Sequence, residues 1–468
     1  MERLTKIGKV MPKNSKDIKV SRFALGMEKL DRDAFDPNKA YDKVAATGIK
    51  WVRIQSGWQK TEKVKGKYDF AWLDDQVDNL LKRGLKPWLT LCYGNEIYDE
   101  FASQCLGAVG CPPIYSKEMY DAWLEYVKQT AAHFKGRIEY YEVWNEPDGK
   151  WCWKKGVNFD EYADFALKTG QAVKSADPTA KVMAGSLYDR SLGMLFHMLE
   201  MGVGNVADAI TFHDYCYDET YIFSRVKAMR ALCNAYNPKL EIIQGESGSQ
   251  SQTGVAGALR GIETTPTMQA KQIARHIMTD ILCDVKFTSI FSAVDMNENL
   301  SAKAGDVIDT YGYFGMLSAE FDKNTGFAIG EYKEKPAYYV LQNLSSIFAE
   351  NIKICDLPVL LIPQDSPRFL GRDCTDPTLV LGGIQNEKGA KAVVYWNSTN
   401  MLTTREWVST ITLQTAGLGN KISLIDPMDG SIYSIPEDMI EPDGAGIYLL
   451  KNIPVKDYPL ILTFGDFI

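Results

Sequence analysis

Eight short β-rich runs alternate with helical patterns through the first three quarters of the 468-residue chain, and such alternation marks parallel βα units. After about Ala349 the helical periodicity stops, and short β runs recur between Gly, Pro, Asp and Asn turns. The longest gaps follow the third, seventh and eighth β runs. Together these features predict an α/β fold: a (β/α)8 TIM barrel over residues 1–350, then a C-terminal antiparallel β-sandwich domain over 351–468. Residues 1–20 could add a strand to the sandwich, and the sequence leaves this open.

The predicted barrel strands are Arg22–Gly26, Trp51–Gln55, Pro87–Cys92, Glu139–Trp144, Lys181–Ala184, Ala209–His213, Glu241–Gln244 and Thr288–Val294. Between them Phe70–Lys82, Lys117–Phe134, Phe159–Ser175, Tyr221–Tyr236 and Met268–Leu282 carry apolar residues at three- and four-residue spacing, the period of an amphipathic helix. Asp160 and Asp189 are expected to cap helices, and Lys335–Phe348, with Pro336 at its start, closes the eighth unit. The insertions Tyr93–Ser116, Ser247–Pro266 and Asp295–Glu334 all leave carboxyl ends of strands, where barrel active sites lie. In the last quarter the β runs are Leu379–Gly382, Lys391–Trp396, Val408–Leu413, Lys421–Leu424 and Leu460–Phe464; Trp396 and Trp407 read equally as core or as glycan platform.

Acidic residues outnumber basic ones by 60 to 52, for a net charge of -8. Nucleic acid and anionic membrane both need clustered Lys and Arg, so neither is the expected partner. No stretch reaches the roughly 20 apolar residues of a membrane span, and the first twenty positions lack the apolar centre of a signal peptide; a cytoplasmic location is the expectation. Nine cysteines with no CxxC pair favour buried reduced thiols, with Cys105 and Cys111 the one pair close enough to bridge. Neither a metal nor a cofactor is expected, because HExxH and Cys/His clusters are absent and His133, His197 and His276 fall on predicted helices.

The fourth strand runs into Trp144-Asn145-Glu146-Pro147 and the seventh into Gln244-Gly245-Glu246-Ser247-Gly248, which sets two carboxyls at one rim from opposite sides of the barrel. Pro147 cannot extend a ladder, and glycines on both sides of Glu246 allow close backbone packing. Glycosidic cleavage needs two such carboxyls with split roles, one protonated to donate to the leaving oxygen and one ionised to attack the anomeric carbon. A solvated rim ion pair is the bland alternative for either glutamate alone; for the two together it is far less economical. Trp58, Tyr93, Trp151 and Trp153 lie on loops expected at this rim and are either sugar platforms or core.

The Trp-Asn-Glu-Pro run resembles the acid/base motif of glycoside hydrolase clan A, and Gln-Gly-Glu-Ser-Gly is similar to that clan's nucleophile contexts. Within the clan, Trp51-Val52-Arg53 through Trp58, Gly66 to Phe70, and Tyr93-Gly94-Asn95 are most similar to family 39 and its neighbours among families 5 and 51. The likeness spans roughly Arg22–Phe348. It implies Glu146 as general acid/base, Glu246 as nucleophile, Asn145 on the hydroxyl beside the anomeric carbon, and Arg53 supporting the nucleophile. His213-Asp214-Tyr215 resembles the clan's His-x-Tyr element, in which the Tyr hydroxyl bonds the nucleophile, and Asn95 joins the substrate-binding candidates. Clan members commonly carry a Trp after strand eight; this chain has none between Trp153 and Trp396, so Phe291, Asp295 or an inserted-loop aromatic must serve there.

The resulting expectation is a retaining, exo-acting β-xylosidase or β-glucosidase on oligosaccharides. The rivals are an endo-acting β-glucanase of the same clan and a carbohydrate-binding barrel without turnover. A homo-oligomer is compatible with the sequence, and the sandwich is free to bind glycan, to assemble, or simply to pack on the barrel.

Overall fold

The computed structural model describes the chain except residues 2, 189–191, 299–305, 307–308, 363–378 and 399–408. Thr5–Lys9 is its first strand (β1), and eight parallel strands then close a barrel: β2 (Phe23–Gly26), β3 (Trp51–Gln55), β4 (Lys86–Leu91), β5 (Tyr140–Val143), β6 (Lys181–Leu187), β7 (Ala209–Asp214), β8 (Glu241–Ser247) and β9 (Thr288–Ile290). Closure comes from β9 pairing back onto β2, with Thr288 opposite Phe23. The eight sequence-predicted strands are these eight.

Helices alternate with the strands because their apolar stripes cover the barrel's outer face. Those at Ala71–Lys82, Lys117–His133, Phe159–Ala176, Thr220–Tyr236, Pro266–Leu282 and Pro336–Ile347 fall within two residues of expectation at each end. Ser116 and Thr265 cap two of them by accepting from the backbone N–H groups of Met119 and Met268. The expected cap at Asp160 is two residues late: Asn158 accepts from the N–H groups of Asp160 and Glu161, and Asp160 lies inside the first turn, where its charge still suits the helix dipole. Asp189 lies outside the described residues. Tyr41–Ala46 and Leu192–Glu200 are helices the periodicity did not single out, the first being too short to show a repeat. The insertion after β9 contains a hairpin of Leu317–Phe321 with Ala328–Glu334.

The barrel's lower interior is filled by Ala24, Trp51, Trp88, Tyr140, Met183, Ala209, Ile243 and Phe287, so the barrel is packed below the rim and open only above it. The last quarter forms antiparallel sheets as predicted: a seven-stranded sheet and a four-stranded one with Val393, Leu413, Leu450 and Leu462 buried between them. Residues Thr5–Lys9 complete the larger sheet by pairing with Ser431–Ser434, which answers the question left open for the amino terminus. Trp396 is core: fully buried, it donates to Glu219 Oε1 at 2.8 Å, while Arg275 of the helix Pro266–Leu282 pairs with the same carboxylate at 2.7 Å. Trp407 lies outside the described residues. Eight described cysteines, Cys105 and Cys111 among them, are free thiols. No described helix is long and apolar enough to cross a membrane.

Candidate active site

Two irregularities at the rim aim the functional side chains. Between β7 and β8 the pairing jumps from Phe212–Gln244 to His213–Glu246, leaving Gly245 as an extra residue. Such a bulge re-aims the residue that follows. A Cβ on Gly245 would meet Glu142 Oε1 at 3.0 Å and His213 Nε2 at 3.2 Å, so glycine here serves close packing. On the other side of the barrel, Trp144 (φ 65°) and Glu146 (φ 46°) both take left-handed backbone conformations that non-glycine residues seldom adopt. The indole N–H of Trp144 bonds the carbonyl of Cys152 at 2.8 Å, and this holds the turn that lifts Glu146 into the cavity.

The centre of the arrangement is Arg53 on β3, which has no exposure to solvent. Its guanidinium reaches Glu142 Oε2 at 2.8 Å, Glu246 Oε2 at 2.5 Å, Glu28 Oε1 at 3.4 Å and Asn145 Oδ1 at 2.8 Å. Glu246 accepts a second hydrogen bond from Tyr215 Oη at 2.6 Å. Glu146 sits opposite: one oxygen is 2.9 Å from His213 Nδ1 and the other accepts from the indole N–H of Trp151. One carboxylate oxygen of Glu146, one of Glu246 and a ring nitrogen of His213 all lie within 4.8 Å of one another. That trio is also the candidate ligand set for a cation, but Arg53 already places a positive charge against Glu246, and a second one beside it would be repelled.

Surroundings set the protonation of these groups. Burial pushes the Glu146 carboxyl up to about 7, against the opposing pull of the Trp151 hydrogen bond and of Arg53. Burial acts likewise on Glu142, yet there Arg53, His213 and the Thr90 hydroxyl at 2.7 Å outweigh it and hold the carboxyl below its usual range. Glu28 is raised to about 8, by burial above all, with Arg53 opposing and Glu246 reinforcing. Burial lowers His213 to about 4, so its imidazole is neutral at neutral pH. Burial and the neighbouring Glu246 keep Tyr215 protonated.

Glu146 and Glu246 open into a cavity of about 630 Å3, within the range of small-molecule sites. Of the residues proposed from sequence, Tyr93, Asn145, Trp151 and Tyr215 line it, and Arg53 and His213 lie beneath it, bonded to the two glutamates. Four others are elsewhere. Trp58 is fully buried, donating to Glu62 and packing on Tyr98, Trp123 and Tyr126; the first helical turn after β3 faces it away from the cavity. Asn95 donates to the Glu62 carbonyl at 2.8 Å and organises its own loop. Asp295 is taken up by a buried ion pair with Lys335 at 2.6 Å and by the Gly315 N–H. Trp153 is core, packed on Trp144, Tyr162 and Phe165. The aromatic wall after β9 is supplied by Phe291 and by Phe314 of the inserted loop.

Sequence reasoning missed Glu28, Glu142, Lys29 and Tyr188. Glu142 had a signal: a charged residue at an inward position of a short buried strand needs a partner, and Arg53 is the matching charge two staves away.

The family model for glycosyl hydrolases family 39 matches residues 28–238. No curated protein matches the chain by sequence. A family 39 glycoside hydrolase from Bacteroides cellulosilyticus WH2 is 16% identical, with TM-score 0.63 over 95% of this chain and 81% of that one. A family 39 β-xylosidase from Caulobacter crescentus is also 16% identical, with TM-score 0.55 over 98% of each chain. A family 30 endoxylanase from Clostridium papyrosolvens C71 is 11% identical, with TM-score 0.59 over 98% of each. At these identities the structures speak for the fold, and the family match, over residues 28–238, makes that part of the chain similar to the family 39 glycoside hydrolases of clan A.

Proposed function

We propose that the chain hydrolyses a β-linked glycoside, a β-xyloside before a β-glucoside, by double displacement. Glu246 attacks the anomeric carbon while Glu146, holding a proton at neutral pH, delivers it to the leaving oxygen; Glu146 then takes a proton from the water that releases the sugar. The observation that carries this reading is the approach of the two carboxylates to within 4.8 Å between their nearer oxygens. Retaining sites hold their carboxyls about 5–5.5 Å apart, whereas inverting sites leave about 6.5–9.5 Å for a water. The split environments agree: Arg53 and Tyr215 stabilise negative charge on Glu246, and burial keeps Glu146 protonated. The preference for xylosides is supported by the Caulobacter β-xylosidase among its fold relatives.

Azide rescue tests the roles separately. Glu246→Ala with azide should yield a glycosyl azide of inverted configuration. Glu146→Gln should turn over activated aryl glycosides and yield the retained azide. Wild-type turnover by either variant would refute the assignment.

A further inference from the structure

The cavity continues beyond the two carboxyls. Lys29 and Arg32, which follow β2, line it on the side of Glu28. The same two residues line a second recess of about 240 Å3 that Leu106, Val109, Asn297 and Phe327 enclose. That volume falls below the roughly 300–1,000 Å3 of a drug-sized site and suits a single small ring.

The chemistry of the shared wall is that of a neutral polyol site. Lys29 Nζ donates to the Asn297 carbonyl at 2.6 Å and to Glu298 Oε1 at 2.8 Å, which leaves one of its three protons for a ligand. Arg32 pairs with Asp31 at 2.9 Å and donates to Gln55 Oε1 at 2.8 Å, with further N–H groups to spare. Glu298 and Asp31 thus offset both positive charges, and Asp306 also lines the recess, so the wall offers donors to hydroxyls without a net positive charge for a carboxylate or sulfate. Phe327 adds an apolar surface of the kind that packs on a sugar ring.

Position gives the recess its role. The leaving oxygen must sit at Glu146, whose neighbours Trp151 and Tyr188 pack against each other with ring centres 5.2 Å apart at the ends of β5 and β6. In a 1,4-linked chain the two linkages leave a pyranose ring from opposite ends. A sugar preceding the cleaved unit therefore extends away from Glu146, across the barrel mouth, toward the loop after β2. We infer that the recess bounded by Lys29, Arg32, Val109 and Phe327 binds a second neutral sugar of the glycone, so that the unit released from a 1,4-linked β-chain is two sugars long. This rests on the roles given to Glu146 and Glu246 above, and it replaces single-sugar release by disaccharide release.

The test compares nitrophenyl β-xyloside with nitrophenyl β-xylobioside, and the glucoside with the cellobioside, on the full chain. kcat/KM should favour the bioside by at least about tenfold, the worth of one or two hydrogen bonds, with intact disaccharide as the first sugar product. Val109→Trp, which fills the recess, should bring the bioside-to-monoside ratio toward one; Phe327→Ala should lower the same ratio without adding bulk. A ratio near one in the wild type, or a ratio that neither variant moves, overturns the subsite while the glycosidase reading stands. Turnover of neither substrate class overturns both.

Discussion

The rim of β8 surrounds Glu246 with donors: the Arg53 guanidinium at 2.5 Å and the Tyr215 hydroxyl at 2.6 Å. The rim of β5 gives Glu146 an indole N–H and a neutral imidazole, in a site buried enough to lift its carboxyl to about 7. Two identical side chains on opposite staves are thereby given unlike surroundings. Charge placement alone does not achieve this, since Arg53 also reaches Glu28 and Glu142. What separates the glutamates is the whole donor set: Glu246 meets a guanidinium and a hydroxyl, Glu146 an indole and an imidazole in a buried site.

The contrast breaks most sharply at the nucleophile. Glu246→Ala should lower turnover of an aryl glycoside on the order of 10^4-fold or more, while leaving the thermal midpoint close to wild type, because its side chain is partly exposed. Arg53→Ala is the opposite case: it leaves Glu142 buried and unpaired. Urea unfolding should show a loss of about 3–5 kcal/mol, and a loss below 1 kcal/mol would mean that Glu142 has another partner. Tyr215→Phe removes one charge-directed hydrogen bond and should reduce kcat about tenfold to a hundredfold, with little change in stability.

The smallest effect concerns pH. The general acid must carry its proton, so kcat/KM should fall as pH rises through about 7, the value to which Glu146 is raised. The Trp151 N–H favours the ionised form of Glu146. Trp151→Phe should therefore move this alkaline limb upward; a downward shift would mean that Trp151 contributes packing rather than charge stabilisation.

The barrel was legible because each strand and helix carries its own period, and the two glutamates were legible because each ends a strand beside a residue that stops or bends the ladder, Pro147 or Gly245. Trp58, Asn95 and Asp295 show where that reading fails. All three lie at the carboxyl ends of strands, yet one turn of helix, a loop hydrogen bond and the ion pair with Lys335 carry them out of the cavity. Sequence position gives the rim; it does not say which layer of the rim a side chain occupies. Glu28 and Lys29 were hidden for a related reason, since they follow β2 without any motif and gain meaning only through partners 25 and 269 residues away. The bulge at Gly245, which aims Glu246, leaves no trace in the hydrophobic pattern.

The covalent step is the most direct point of test. Incubation with an activated 2-deoxy-2-fluoro β-xyloside, or the glucoside, followed by proteolysis and mass analysis of the peptides, should find one sugar attached at Glu246 and none on Glu246→Ala. A sugar carried by another residue, or full hydrolysis with inversion and no trapped species, would contradict the division of roles between Glu146 and Glu246.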